Sequence, residues 1–91
     1  MILDRFKIQN KVAVITGGTR GIGLAIAHAL GEAGAKLVVT SRTDQHGGLK
    51  SLEQAGYDAT YFQADLTDPS KPQELVDFVL DTKGSLDILV N

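Results

Sequence analysis

Apolar residues fall along the chain in short blocks separated by polar and glycine-rich stretches. Val12-Ala13-Val14-Ile15 is a continuous apolar run, the pattern of a strand buried on both faces, as in parallel sheets. It stops at Thr16-Gly17-Gly18-Thr19-Arg20-Gly21-Ile22-Gly23. A helical period follows, with Ile22, Ile26, Ala29, Leu30 and Ala33 on one face. Gly34 stands just past that helix, where a missing Cβ permits a left-handed turn. Leu37-Val38-Val39 predicts a second strand. The next helix is weaker: Gly47 and Gly48 would each cost about 1 kcal/mol relative to Ala in a helix interior, so it is predicted from Leu49 to Gly56. Asp58 to Gln63 predicts a third strand, with Ala59, Tyr61 and Gln63 alternating against Thr60 and Phe62, as on a half-exposed edge. Ser70 with Gln73 fits a capping box, with Pro72 in the first turn, where its missing N–H costs little. That third helix presents Leu75, Val76, Val79 and Leu80, and Gly84 closes it. Leu86-Asp87-Ile88-Leu89-Val90 predicts a fourth strand, and Asn91 follows. Residues 1–11 read as a lead-in, in which Phe6 and Ile8 share a face.

Strands and helices alternating at this spacing predict βαβ units and a parallel sheet. Right-handed crossovers put helices on both faces. The expected fold is α/β, a doubly wound parallel sheet in the order 3-2-1-4. Ligands of such sheets bind at the carboxyl ends of the strands near the switch point. Here that point lies between the first and fourth strands, where Thr16–Gly23 and Asn91 converge.

Composition narrows the class. The 91 residues are 43% hydrophobic and 22% charged, enough for one domain at most. Ten glycines exceed the roughly six expected at a usage of about 7%, while two prolines and no repeats exclude a collagen-like chain. Net charge is −2 with scattered Lys and Arg, so no nucleic-acid partner is expected. No cysteine is present, which excludes disulfides and thiolate metal sites. No apolar stretch approaches the ~18 residues of a membrane span, and Asp4 interrupts the start too early for a signal peptide. A soluble, cytoplasmic protein without a membrane partner is expected.

The glycine segment carries the candidate chemistry. Gly17 allows a tight turn at the strand end, Gly21 lets backbone approach a pyrophosphate, and Gly23 lets the helix pack close to the sheet. The helix start then offers free N–H groups and partial positive charge to an anion. The spacing is not G-x-G-x-x-G, because Thr19 stands where a Gly is required. Nor is it a P-loop, because Leu24-Ala25 replaces Lys and Ser/Thr after the four-residue gap. The plain alternative is a turn with only a folding role.

Thr16-Gly17-x-x-x-Gly21-x-Gly23 resembles the cofactor loop of the short-chain dehydrogenase/reductase family, in its short, single-domain branch. Asp65 after the third strand and Leu86–Asn91 resemble two further segments of that family. Together they cover nearly the whole chain. The resemblance implies that residues 1–91 are the amino-terminal, dinucleotide-binding part of a Rossmann-type domain, with three more strands beyond. It implies backbone contacts from Ile22 to the phosphates, an acceptor for the adenine amino group at Asp65 with the Leu66 N–H beside it, and the Asn91 backbone against the adenosine ribose. The Asn91 side chain would tie the fourth strand to the first.

Dinucleotide choice is set just after the second strand, about 20 residues beyond the glycines. Ser41 stands where an acid would accept from a ribose 2′-OH, and Arg42 follows it. Arg42 offers a fork of donors suited to phosphate, and Arg20 supplies a second charge. These favour NADP(H). The alternative makes Asp44 the ribose partner, and the cofactor NAD(H); Asp44 also suits a helix cap.

The reaction implied is hydride transfer between nicotinamide and a carbonyl or alcohol carbon of a small molecule. It requires a Tyr whose ordinary pKa of about 10 is lowered by a Lys four residues later. Tyr57 and Tyr61 are followed at that spacing by Tyr61 and Asp65, so no catalytic residue is assigned, and both tyrosines are expected to pack at the edge strand. His28 and His46 have no accompanying ligand pattern, so no metal is assigned. Turnover would belong to a longer parent chain, expected to be a homo-oligomer. The other readings are a stand-alone nucleotide-binding module and an inactive truncation. Alone, the chain would leave its fourth strand as an open apolar edge, with marginal stability or association through that edge.

Overall fold

The computed structural model describes residues 8–91; the expected packing of Phe6 lies outside them. The four strands are β1 (Val12–Thr16), β2 (Lys36–Ser41), β3 (Ala59–Gln63) and β4 (Ile88–Val90). They alternate with helices α1 (Gly21–Glu32), α2 (Gly48–Gln54) and α3 (Lys71–Lys83). All strand pairs are parallel, in the order β3-β2-β1-β4. Val14 stands opposite Val38 and Leu89, and Val38 opposite Thr60. This is the doubly wound Rossmann arrangement read from the apolar blocks.

The continuous apolar runs are buried on both faces because helices cover both. One face, under α1 and α2, collects Ala13, Ile15, Leu37 and Val39 with Ala27, Leu30 and Leu52. The other, under α3, collects Val12, Val14 and Val38 with Leu75 and Val79. The alternation in β3 has the same origin. Tyr61 packs on the first layer and Phe62 on the second, where Phe62 meets Phe78 with ring centroids 4.9 Å apart. The period of two sorts residues between two layers, and Gln63 alone in that strand is exposed.

Local departures from the sequence expectation have identifiable causes. The buried stripe of α1 is Ala27, Leu30 and Gly31, while Ile22 is 81% exposed. Gly31 belongs to that stripe because a Cβ there would stand 2.6 Å from the Tyr57 ring. On α3, Leu75 and Val79 are buried, but Val76 and Leu80 are exposed. The expected capping box does not form. Asp68 Oδ1 instead accepts from both the Ser70 N–H (3.0 Å) and hydroxyl (2.8 Å), and Gln73 turns to Asp77. An ionised acceptor two residues upstream outcompetes a neutral one in the first turn. Pro72 does sit in that turn.

β4 is shorter than its sequence pattern. Asp87 precedes it and fastens it to β1: Val12 N–H donates to Asp87 Oδ2 and Asp87 N–H to Val12 O, each at 2.9 Å. Ser85 Oγ also donates to that carboxylate. The Val12 N–H, then the Ser85 hydroxyl, hold the Asp87 carboxyl below its usual range. Leu89 is exposed on the α3 side, while Ile88 and Val90 pack on the opposite layer.

Candidate dinucleotide-binding site

The glycine segment turns at the carboxyl end of β1. Gly17 has φ +63° and Gly21 φ +57°, left-handed conformations that favour glycine. Gly17 N–H donates to Thr40 O at 2.7 Å, which holds the turn against the end of β2. Gly23 faces back onto it: a Cβ there would overlap the Gly17 carbonyl oxygen and stand 2.8 Å from its carbon. Helix α1 therefore begins as close to the loop as backbone allows. Its N-cap, Arg20, is extended and makes no side-chain cap, and no acid lies in the first turn. Neither the cap residue nor the first turn supplies a side chain that offsets the partial positive charge of this helix tip.

A second loop closes on the first. Thr19 is buried and donates its hydroxyl to Ser41 Oγ at 3.0 Å. Ser41 Oγ donates to Thr43 O at 2.6 Å, and Tyr61 OH donates to Ser41 O at 3.0 Å. The expected start of α2 at Leu49 moves to Gly48, because Gly48 lies against the Thr19 backbone, whose carbonyl oxygen a Cβ would overlap. Asp44 caps this helix: its two carboxylate oxygens accept from Gly48 N–H at 2.8 Å and Leu49 N–H at 3.0 Å.

Between these loops lies a cleft of about 620 Å³. It gathers Gly17, Thr19, Arg20, Ser41, Arg42 and Leu66 from the residues read in the sequence. Gly21, Ile22 and Gly23 are set back in the first turn of α1. Asp65 borders the cleft from the β3–α3 loop. Its Oδ1 accepts from Thr67 hydroxyl at 2.6 Å and N–H at 3.0 Å. The Thr67 hydroxyl, its N–H and then the charge of Arg42 hold the Asp65 carboxyl below its usual range, so it is an ionised acceptor. Asn91 is at the β1–β4 end, where Thr16 Oγ1 donates to its Oδ1 at 3.0 Å.

Sequence reasoning missed Thr40, Thr43, Gln45, His46 and Ala64 in the cleft wall. Thr40 is fully buried and its Oγ1 has no hydrogen-bond partner among the described residues. Gln45 and His46 carry no motif; their place follows only from the Asp44 cap, which turns the chain back over the cleft. Among the described residues, no group of three or more His, Asp or Glu could hold a metal ion, and no helix is long and apolar enough to cross a membrane.

A parallel 3-2-1-4 sheet with an uncapped, glycine-seated helix tip at its switch point defines a nucleotide-binding α/β domain. Comparison with known proteins gives the family. The short chain dehydrogenase pattern matches residues 11–91, and the chain belongs to that family of oxidoreductases. An uncharacterised oxidoreductase of Mycobacterium tuberculosis is 43% identical over all of this chain and 35% of its own length. Versicolorin reductase 1 of Aspergillus parasiticus is 43% identical over 94% of this chain and 34% of its own. A 3-oxoacyl-[acyl-carrier protein] reductase from Brucella melitensis, solved with NAD, superposes with TM-score 0.82 at 40% identity, over 91% of this chain and 33% of that one. L-sorbose reductase from Gluconobacter frateurii, solved with NADPH and L-sorbose, gives 0.85 at 38% identity, over 92% and 33%. The chain thus spans about a third of the length of the curated relatives it matches.

Proposed function

We propose that this chain is the cofactor-binding portion of an NADP(H)-dependent oxidoreductase that moves hydride between nicotinamide and a carbonyl or alcohol carbon. The residues fit a dinucleotide. The missing Cβ of Gly23 lets the start of α1 seat against the Gly17 carbonyl, and the N–H groups of Gly21, Ile22 and Gly23 lie in a first turn that carries no side-chain cap and no acid, open to a pyrophosphate. The Asp65 carboxylate accepts from the adenine amino group, with the Leu66 N–H beside it, and the Asn91 backbone flanks the adenosine ribose. The bound dinucleotide supplies the hydride-carrying carbon; these residues supply its binding and orientation.

The observation that carries the choice of NADP(H) is the cleft wall at the end of β2. Arg20 and Arg42 both line it, Ser41 stands where an acid would repel a 2′-phosphate, and Asp44 spends both oxygens capping α2. Relatives with NAD and with NADPH share the fold, so the choice rests on these side chains. Arg42→Asp should weaken adenosine 2′,5′-bisphosphate at least tenfold and leave 5′-AMP nearly unchanged. Equal loss of both ligands in a titration would refute the selectivity.

The second reading, a nucleotide-binding module without turnover, is favoured by the placement of the tyrosines. Tyr57 packs edge-on against His28, centroids 5.7 Å apart, and the Tyr61 hydroxyl is bound to Ser41 O. Neither has a Lys four residues later, so catalysis would require residues of a longer chain. Carbonyl reduction with NADPH by the whole protein separates the two readings.

A further inference from the structure

His46 occupies the cleft wall with Arg20 and Arg42 and has no part in the site read from the motifs. Its turn is held from both sides. Asp44 clamps the start of α2 through Gly48 and Leu49, and Gly47 N–H returns to Asp44 O at 3.4 Å. The ring is exposed. The other histidine, His28, shares a hydrogen bond between its Nε2 and Ser51 Oγ at 2.8 Å; among the described residues His46 has no such partner.

Arg20 from the glycine loop and Arg42 from the end of β2 line the cleft with His46; Asp44 lies two residues away in the same turn, and Asp65 feels the charge of Arg42. Both acids are already engaged: Asp44 by two N–H groups, Asp65 by Thr67. A dianionic phosphate held beside the ring would favour its cationic form.

We propose that His46 is a third phosphate-binding group of the ribose 2′-phosphate pocket, and that its protonation makes recognition of the 2′-phosphate stronger on the acid side of neutrality. This rests on the NADP(H) reading above. Arg20 and Arg42 give a constant attraction, and His46 adds one that rises as pH falls. A phosphate monoester itself takes up a proton near pH 6, so only the comparison of parent and variant isolates the imidazole.

The test is titration of the protein with adenosine 2′,5′-bisphosphate and with 5′-AMP at pH 6 and pH 8.5, in the parent, His46→Gln and Arg42→Asp. His46→Gln should weaken the bisphosphate about fivefold at pH 6, the scale of one solvent-exposed ionic contact, and less than twofold at pH 8.5. It should leave 5′-AMP unchanged at both. If the parent binds the bisphosphate no better than 5′-AMP, the NADP(H) reading fails and this proposal with it. If the parent prefers the bisphosphate and Arg42→Asp abolishes that preference, but His46→Gln changes nothing at pH 6, the role of His46 alone is overturned. A loss that is equal at both pH values, or that extends to 5′-AMP, also overturns it.

Discussion

Gly23→Ala tests the contact on which the site is built. The added Cβ would overlap Gly17 O and stand 2.8 Å from Gly17 C and 3.2 Å from the Gly18 Cα. Carbon atoms rest at about 3.5–4.0 Å, so relief requires a backbone shift approaching an ångström. All three obstacles are main-chain atoms, and the loop is held by the 2.7 Å bond from Gly17 N–H to Thr40 O. Helix α1 must therefore move away from the loop. Overpacking of this kind costs about 1–3 kcal/mol, and the better helix propensity of Ala returns up to about 1, leaving a net loss of about 0–3. Binding suffers more, because the N–H groups of the first turn leave their alignment with a phosphate. Losing one charge-assisted hydrogen bond, about 1.5–3 kcal/mol, lowers affinity by about 10- to 100-fold. Gly84→Ala, past the end of α3 and at the end of the sheet opposite the cleft, is the control. Gly84 has a left-handed φ of +87° and its Cβ would meet nothing within 4 Å, so it loses about 1–2 kcal/mol to backbone strain without displacing α1. Urea unfolding and titration with adenosine 2′,5′-bisphosphate, run on both variants, should show similar stability losses and a binding loss confined mainly to Gly23→Ala. Parent-like affinity in Gly23→Ala, or equal affinity losses in both, would refute the argument that the close approach sets the phosphate site.

Thr40→Val should raise stability by about 1 kcal/mol in thermal or urea unfolding, because the buried Oγ1 has no partner and an unsatisfied hydroxyl costs about 1–3; a destabilised variant would mean the hydroxyl is bonded in solution. Asp44→Ala removes both bonds to the start of α2 and should cost about 1 kcal/mol while leaving the preference between bisphosphate and 5′-AMP intact at about pH 8.5, where His46 adds little. A selective loss of 5′-AMP binding would instead make Asp44 the ribose partner and favour NAD(H). Asp87 has its folded-state pKa lowered by the Val12 N–H and Ser85. Its stabilising effect is therefore present above the unfolded value, about 3.9, and is lost as pH falls through the lower folded value. Acid titration of stability should show a decline below about pH 4 that is shallower in Asp87→Asn; an identical acid limb in the variant contradicts this.

The sheet was legible because residues buried on two faces leave continuous apolar runs, and Val12–Ile15 and Leu37–Val39 are such runs. Strand order was expected as that of a doubly wound sheet with helices on both faces, and the glycine loop was legible from its position between a strand and a helix. What stayed hidden depends on contacts between segments distant in sequence. Gly48 reads as a helix breaker, yet it starts α2 because Thr19 leaves no room for a Cβ. Ser70 and Gln73 fit a capping pattern that is lost to Asp68. Ile22 has the spacing of a core residue, but at the tip of α1 there is no sheet beneath it, and it is exposed. In the cleft, the motif residues Gly17, Arg20 and Arg42 were legible; Gln45 and His46 were not, since a cap four residues upstream of the helix decides where they sit.

The wedge between Thr19 and Gly48 makes the site a fixed gauge. In the proposed reading, the glycine loop that would face the pyrophosphate and the β2–α2 loop that would face the 2′-phosphate touch backbone to backbone at Thr19 and Gly48, so displacing one displaces the other. Exchange between cofactors that differ by one phosphate would then call for new side chains along the rim and no new spacing.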